Sequence, residues 1–161
     1  MAKTLVAYFS ASGMTARLAR TLAEAAQADL FEISPAQRYT AADLNWPDAQ
    51  SRSSLEMKDP DARPIIAEAV KDMAQYDTVF VGFPIWWYQA PRIIETFLEA
   101  YDFSGKTVIP FATSGGSDMG RTGEILKACC TADTRWIPGK RLHANASRDA
   151  VSGWLQSLNL K

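Results

Sequence analysis

The chain has 161 residues, 47% of them hydrophobic, a size at which one core fills efficiently. Seventeen Lys and Arg against eighteen Asp and Glu leave a net charge of −1, which argues against partners chosen by bulk charge, nucleic acid among them. Two adjacent cysteines, Cys129 and Cys130, and a single histidine, His143, leave no spaced ligand set for zinc or an iron–sulfur cluster and fit a reducing compartment.

Thr4 to Phe9 is an almost unbroken apolar run, the pattern of a strand covered on both faces in a parallel sheet. It is too short for a signal peptide or a membrane span, so a soluble cytoplasmic protein is expected. Thr15 is expected to cap a helix to about Gln27, with Leu18, Leu22 and Ala25 inward and Arg17, Arg20 and Glu24 outward. Asp29 to Ser34 has the shorter, more alternating pattern of an edge strand, ended by Pro35.

Residues 36–63 are polar and interrupted by prolines, with Tyr39, Leu44, Trp46, Leu55 and Met57 as anchors of an irregular excursion. Pro64 suits the first turn of a helix to about Gln75, with Ile65, Ile66, Ala69, Val70 and Met73 as its buried stripe. Asp77 to Phe83 repeats the buried-strand signature, and Pro91 to Ala100 forms the next helix. Thr107 to Ala112, Arg121 to Cys130, Thr134 to Ile137 and Ser147 to Leu158 supply strand, helix, strand and helix. Alternation of this kind predicts one α/β domain over residues 1–161, a three-layer sandwich around a parallel sheet of five strands.

Ligands of such a sheet bind beyond the carboxyl ends of the strands. Ser10-Ala11-Ser12-Gly13-Met14-Thr15, just before a helix, brings hydroxyls and backbone N–H groups together as a phosphate cradle without any Lys or Arg of its own. Arg17, the nearest cation, is expected to face away. The loop has neither the P-loop nor the dinucleotide G-x-G-x-x-G spacing. Trp86, Trp87 and Tyr88 follow the third strand and offer flat surface for a planar ring, while Thr113 to Gly120 lets backbone approach a ligand closely. His143 is expected to be an ordinary surface residue, and Arg52, Glu56 and Arg63 a solvated face.

With these three loops in place the chain resembles the flavodoxin family over essentially its whole length. That family's phosphate loop, T/S-x-T/S-G-x-T, is matched by Ser10, Ser12, Gly13 and Thr15. The resemblance implies the strand order 2-1-3-4-5 and non-covalent FMN. It implies that Ser10, Ser12, Gly13, Met14, Thr15 and Ala16 hold the phosphate. Pro84, Ile85, Trp86 and Trp87 would flank the ring, and Thr113, Ser114, Gly115 and Gly116 would line its pyrimidine edge.

Two departures from the family's electron carriers bear on function. Those carriers are strongly acidic, and they commonly place a glycine in the second loop so that a peptide can flip to support the half-reduced flavin. Here the charge is near zero and Pro84 to Pro91 has no glycine. Electron transfer or NAD(P)H-dependent reduction of a small acceptor such as a quinone is therefore expected, the latter by two-electron chemistry. The alternatives are a dedicated one-electron carrier docking to protein redox partners, or a flavin-free interaction module. A response regulator would need acidic residues after the first strand and a low-molecular-weight phosphatase a cysteine in that loop, and neither is present.

Overall fold

The computed structural model describes residues 3–86, 89–113 and 122–158. Among these run β1 (Thr4–Tyr8), α1 (Met14–Ala26), β2 (Asp29–Glu32), α2 (Arg52–Lys58), β3 (Thr78–Pro84) and α3 (Arg92–Ala100). They are followed by β4 (Thr107–Thr113), α4 (Thr122–Lys127), β5 (Arg135–Trp136), β6 (Lys140–Arg141) and α5 (Arg148–Ser157). The strands pair in parallel in the expected order, β2-β1-β3-β4-β5. The sequence misses β6, which pairs with Phe111 and Ala112 of β4 further along the edge where β5 pairs with Thr107 and Val108.

Alternation along the three central strands divides the core in two. Val6, Tyr8, Phe80, Ile109 and Phe111 pack with Leu18 and Leu22 of α1 and Val151 and Trp154 of α5. Leu5, Ala7, Val79, Val81, Phe83 and Val108 pack on the other side with Ile93, Ile94, Phe97 and Leu98 of α3 and Leu126 of α4. Side chains of a strand point alternately to opposite faces, so a sheet covered on both faces must be apolar at every position, as these runs are. α5 starts where the sequence places it, because the Ser147 hydroxyl accepts from Ala150 N–H at 3.1 Å.

The connection between β2 and β3 departs from expectation. Residues 64–75 do not form a helix beyond one 3-10 turn at Met73–Gln75. Ile66 instead bridges Pro35 in antiparallel fashion, and Ala36 N–H and Ala67 N–H donate to the carbonyls of Ile65 and Ser34. These non-local bonds satisfy the backbone in place of the helix, and Ile65 is left 74% exposed. The helix on this connection lies in the excursion, at α2. Ser51 caps it by accepting from Ser54 N–H, and it buries Ser53, Ser54 and Met57 while Leu55 stays 49% exposed. Trp46 is exposed rather than an anchor. β2 stops at Glu32, two residues short of expectation.

Among the described residues no helix is long and apolar enough to cross a membrane. Both cysteines are free and half-buried. Burial pushes the Cys129 thiol up to about 12, with Glu95 and Glu99 adding to the shift, and the Cys130 thiol up to about 11. Thiols held this far above neutrality are not nucleophiles. The folded pKa values lie above the ordinary thiol value, so the contribution to stability is complete below about pH 8.5 and is lost as pH rises through the folded values. Urea midpoints should therefore fall between pH 8.5 and 11, and a Cys129→Ala, Cys130→Ala double variant should show a shallower alkaline decline.

Candidate functional site

The ends of β1, β3 and β4 and the start of α1 are tied together at the carboxyl edge of the sheet. Phe9 N–H donates to Gly82 C=O at 2.9 Å, extending the β1–β3 pairing, and Ile85 N–H donates to Thr113 C=O at 2.9 Å. The side chains of Thr15 and Thr113, both buried, share a hydrogen bond of 2.7 Å. Thr15 is thus not the cap of α1. The cap position belongs to Gly13, which has no side chain to cap with and sits at φ 90°, a left-handed conformation that favours glycine. Gly13 N–H donates to Ser10 Oγ at 3.0 Å, which closes the loop.

The first backbone bond of α1 runs from Arg17 N–H to Gly13 C=O at 3.1 Å. The N–H groups of Met14, Thr15 and Ala16 precede it and have no intrahelical acceptor, and no side chain caps them. They form an open set of donors on the positive end of the helix, complementary to an anion. Ser12 and Gly13 are exposed beside them, Met14 is 60% exposed and Ala16 packs into the core.

The ring side of the site is built by aromatic residues. Trp86 meets Phe9 edge-on with centroids 5.8 Å apart and Tyr39 at 5.5 Å, and Phe9 meets Tyr39 at 5.5 Å. Trp86 is half-buried in this triad, with Pro84 and Ile85 half-buried before it. Backbone bonds of 2.8 and 3.0 Å between Trp86 and Gln89 close the ends of the second loop. Trp87, Ser114, Gly115 and Gly116 lie outside the described residues.

Tyr39, one of the anchors expected of the excursion, is held by other residues of that segment. Its hydroxyl donates to Glu56 Oε1, Arg52 Nε donates to Glu56 Oε2 at 3.0 Å, and the Arg52 guanidinium lies 3.8 Å from the Tyr39 ring centroid. Burial, reinforced by the bond to Glu56, raises the Tyr39 pKa and keeps the phenol protonated. Arg52 and Glu56 are therefore an internal clamp rather than a solvated face. Arg63 likewise pairs with Glu99 at 2.7 Å and Glu95 at 3.3 Å.

On the α1–α5 side a recess of about 840 Å³ opens against the first loop. Ser12, Gly13, Met14 and Thr113 line it together with Arg17, Arg20, Arg141 and His143. Arg17 thus shares the recess with the loop instead of facing away, and it donates to Asn145 Oδ1. His143 and Arg141 arrive on β6 and the strap after it. Gly139 makes that path available: a Cβ there would sit 2.1 Å from the Pro110 carbonyl oxygen. A two-residue strand leaves almost no periodic signal, and only the basic cluster Lys140, Arg141, His143 marks it in the sequence.

Thr113→Val leaves the Thr15 hydroxyl buried without its partner and should cost about 1–3 kcal/mol in denaturant unfolding. Combined with Thr15→Val the loss should be smaller than the sum of the two single losses, by about 1 kcal/mol. Additive losses would mean that the pair does not couple the two loops.

The flavodoxin family profile matches residues 3–158. A candidate flavoprotein from Bacteroides eggerthii is 48% identical, with all of both chains covered and a TM-score of 0.93. Another from Bacteroides uniformis is 51% identical, with 96% of this chain and 98% of that one covered and a TM-score of 0.91. A flavoprotein from Lactobacillus acidophilus, solved in complex with FMN, shares the fold at 22% identity and a TM-score of 0.70, with 88% of this chain and 93% of that one covered. No curated protein sequence matches significantly. By the family match over nearly its whole length and the sheet order described above, the chain belongs to the flavodoxin family.

Proposed function

We propose that the protein is an FMN flavoprotein that passes electrons from NAD(P)H to a small acceptor such as a quinone. The observation that carries the reading is the uncapped start of α1, opened by Gly13 at φ 90° and held against β4 by the Thr15–Thr113 bond. The N–H groups of Met14, Thr15 and Ala16 suit a phosphate monoester, and the Ser10 and Ser12 hydroxyls stand in the same loop. Trp86, braced by Phe9 and Tyr39, supports a planar ring beside them. The same fold carries FMN in the Lactobacillus acidophilus flavoprotein.

FMN, when bound, supplies the electron-accepting ring, so the protein needs to bind, orient and shield rather than provide an acid or a base. Pro84 to Pro91 offers no glycine for a peptide flip, and a positive φ at Ile85, Trp86 or Gln89 would be strained. That supports transfer of electrons in pairs. The net charge of −1 gives little long-range steering toward a basic protein partner, which supports a small acceptor.

Protein purified as expressed should absorb at the flavin maxima, and stripped protein should quench added FMN while binding riboflavin at least about tenfold more weakly. NADPH oxidation should accelerate on adding a quinone. Photoreduction should pass from oxidised to fully reduced with little absorbance of a half-reduced form. A colourless protein that leaves FMN fluorescence unchanged would overturn the cofactor assignment, and a large half-reduced band would favour a one-electron carrier.

A further inference from the structure

Residues 37–64 leave the sheet edge and return to it at one point. Ala36 N–H donates to Ile65 C=O at 2.7 Å, Ala67 N–H donates to Ser34 C=O at 2.8 Å, and Pro35 bridges Ile66 between them. Beyond this stem the excursion is bonded to itself. Arg52 Nη1 donates to Gln37 C=O at 2.7 Å, Thr40 and Asp43 exchange bonds of 2.9 and 3.1 Å, and Ser53 N–H donates to Asp43 C=O at 2.9 Å. A loop whose ends meet and whose own side chains fill it behaves as one body. Its hold on the rest of the molecule is of a different kind. Among the described residues, Tyr39 is the one hydrophobic side chain of the segment that packs on either half of the core, and Met57, though buried, belongs to neither. The polar attachments are those of Arg92 to the Glu56 and Met57 carbonyls and of Arg63 to Glu95 and Glu99 of α3. A unit anchored by few apolar contacts opens at a lower free energy than the sheet beside it.

We infer that residues 37–64 open as one hinged unit on the stem at Pro35 and Ile66, and that this gate sets how large an acceptor can reach the ring side. In the closed form the Tyr39 ring covers one edge of Trp86, with centroids 5.5 Å apart. Tyr39 travels with the moving body, because its hydroxyl is bonded to Glu56 and the Arg52 guanidinium lies over its ring. Opening therefore uncovers that edge of Trp86 and leaves room there for a polycyclic acceptor, while closure shields the same place from water. The gating role rests on the FMN reading above; the opening itself does not.

The test follows site-resolved hydrogen exchange by NMR on the protein as purified. The amides of Leu44, Ser53 and Leu55, all bonded within the segment, should share one opening free energy below that of Val81 and Ile109 in the central strands. Opening severs the bonds of Arg63, so Arg63→Gln should lower protection of Leu44, Ser53 and Leu55 by one common factor, about fivefold. Ser147→Ala removes the cap of α5, which stays folded when only the segment opens. That variant should lower protection of Val81 and Ile109 about fivefold and leave the three segment amides unchanged. In photoreduced protein, Arg63→Gln should raise the rate with 9,10-phenanthrenequinone relative to 1,4-benzoquinone by about the same factor as it speeds exchange. Segment amides that respond to Ser147→Ala overturn the inference, because the segment would then open only with the whole molecule. So do segment amides that answer Arg63→Gln by different factors, or a ratio of quinone rates that the variant does not move. A protein that binds no FMN and still shows the shared opening would keep the hinged unit and remove the flavin it is proposed to gate.

Discussion

Val6, Phe80 and Ile109 stand side by side across three parallel strands and face α1 and α5, while Leu5, Val79 and Val108, one residue earlier in each strand, face α3 and α4. Sliding any of these strands by one residue would turn its apolar set toward the wrong helices, so burial on both faces fixes the register. Register in turn fixes the height at which each strand ends. Pro84 is level with Thr113, and Tyr8 with Gly82, so the three loops begin on one edge. The bond between Thr15 and Thr113 then converts a shared edge into a shared site, because it joins the start of α1 to the end of β4.

The excursion completes the site from the other direction. Arg92, buried at the start of α3, donates to the carbonyls of Glu56 at 3.2 Å and Met57 at 2.9 Å and pairs with Glu95 at 2.7 Å. One guanidinium thereby reaches two carbonyls at the end of α2, that of Met57 and that of Glu56, which also accepts from Asp59 N–H. With α2 held in place, Glu56 and Arg52 hold Tyr39, and Tyr39 holds Trp86. Removing Glu95 would leave the buried Arg92 guanidinium without its carboxylate, a change that typically costs about 3–5 kcal/mol, whereas removing Arg92 would still leave Glu95 its pair with Arg63. The position of an aromatic residue in the second loop thus depends on an ion pair under a different helix.

What the sequence discloses divides along physical lines. β1, β3 and β4 are legible because a strand buried on both faces must be apolar throughout, and the phosphate cradle is legible because Gly13 and its hydroxyl neighbours occur at a strand-to-helix junction. Periodicity fails between β2 and β3. Ile65, Ile66, Val70 and Met73 have helical spacing, yet the backbone there pairs across the chain, Ala67 N–H donating to Ser34 C=O and Ile65 C=O accepting from Ala36 N–H. α2 fails in the opposite sense, because serines rather than its leucine face inward. Tyr39, Arg141 and His143 owe their places to non-local pairing, which composition and spacing do not encode. The apparent capping role of Thr15 is a further instance: its hydroxyl has a better-buried partner 98 residues away.

Charge shows the same separation between sum and placement. A balance of seventeen to eighteen predicts a molecule with no electrical character. In the structure Arg52 is matched by Asp43 and Glu56, Arg63 by Glu95 and Glu99, and Arg92 by Glu95. At the recess Arg17 donates to the neutral Asn145 Oδ1, with Arg20 and Arg141 on the same walls. Pairing charges on one side of the sheet holds structure in place, whereas on the other side arginines of α1 and β6 stand near the uncapped start of α1. A net charge near zero is compatible with both, and it is the local asymmetry that bears on what the protein binds.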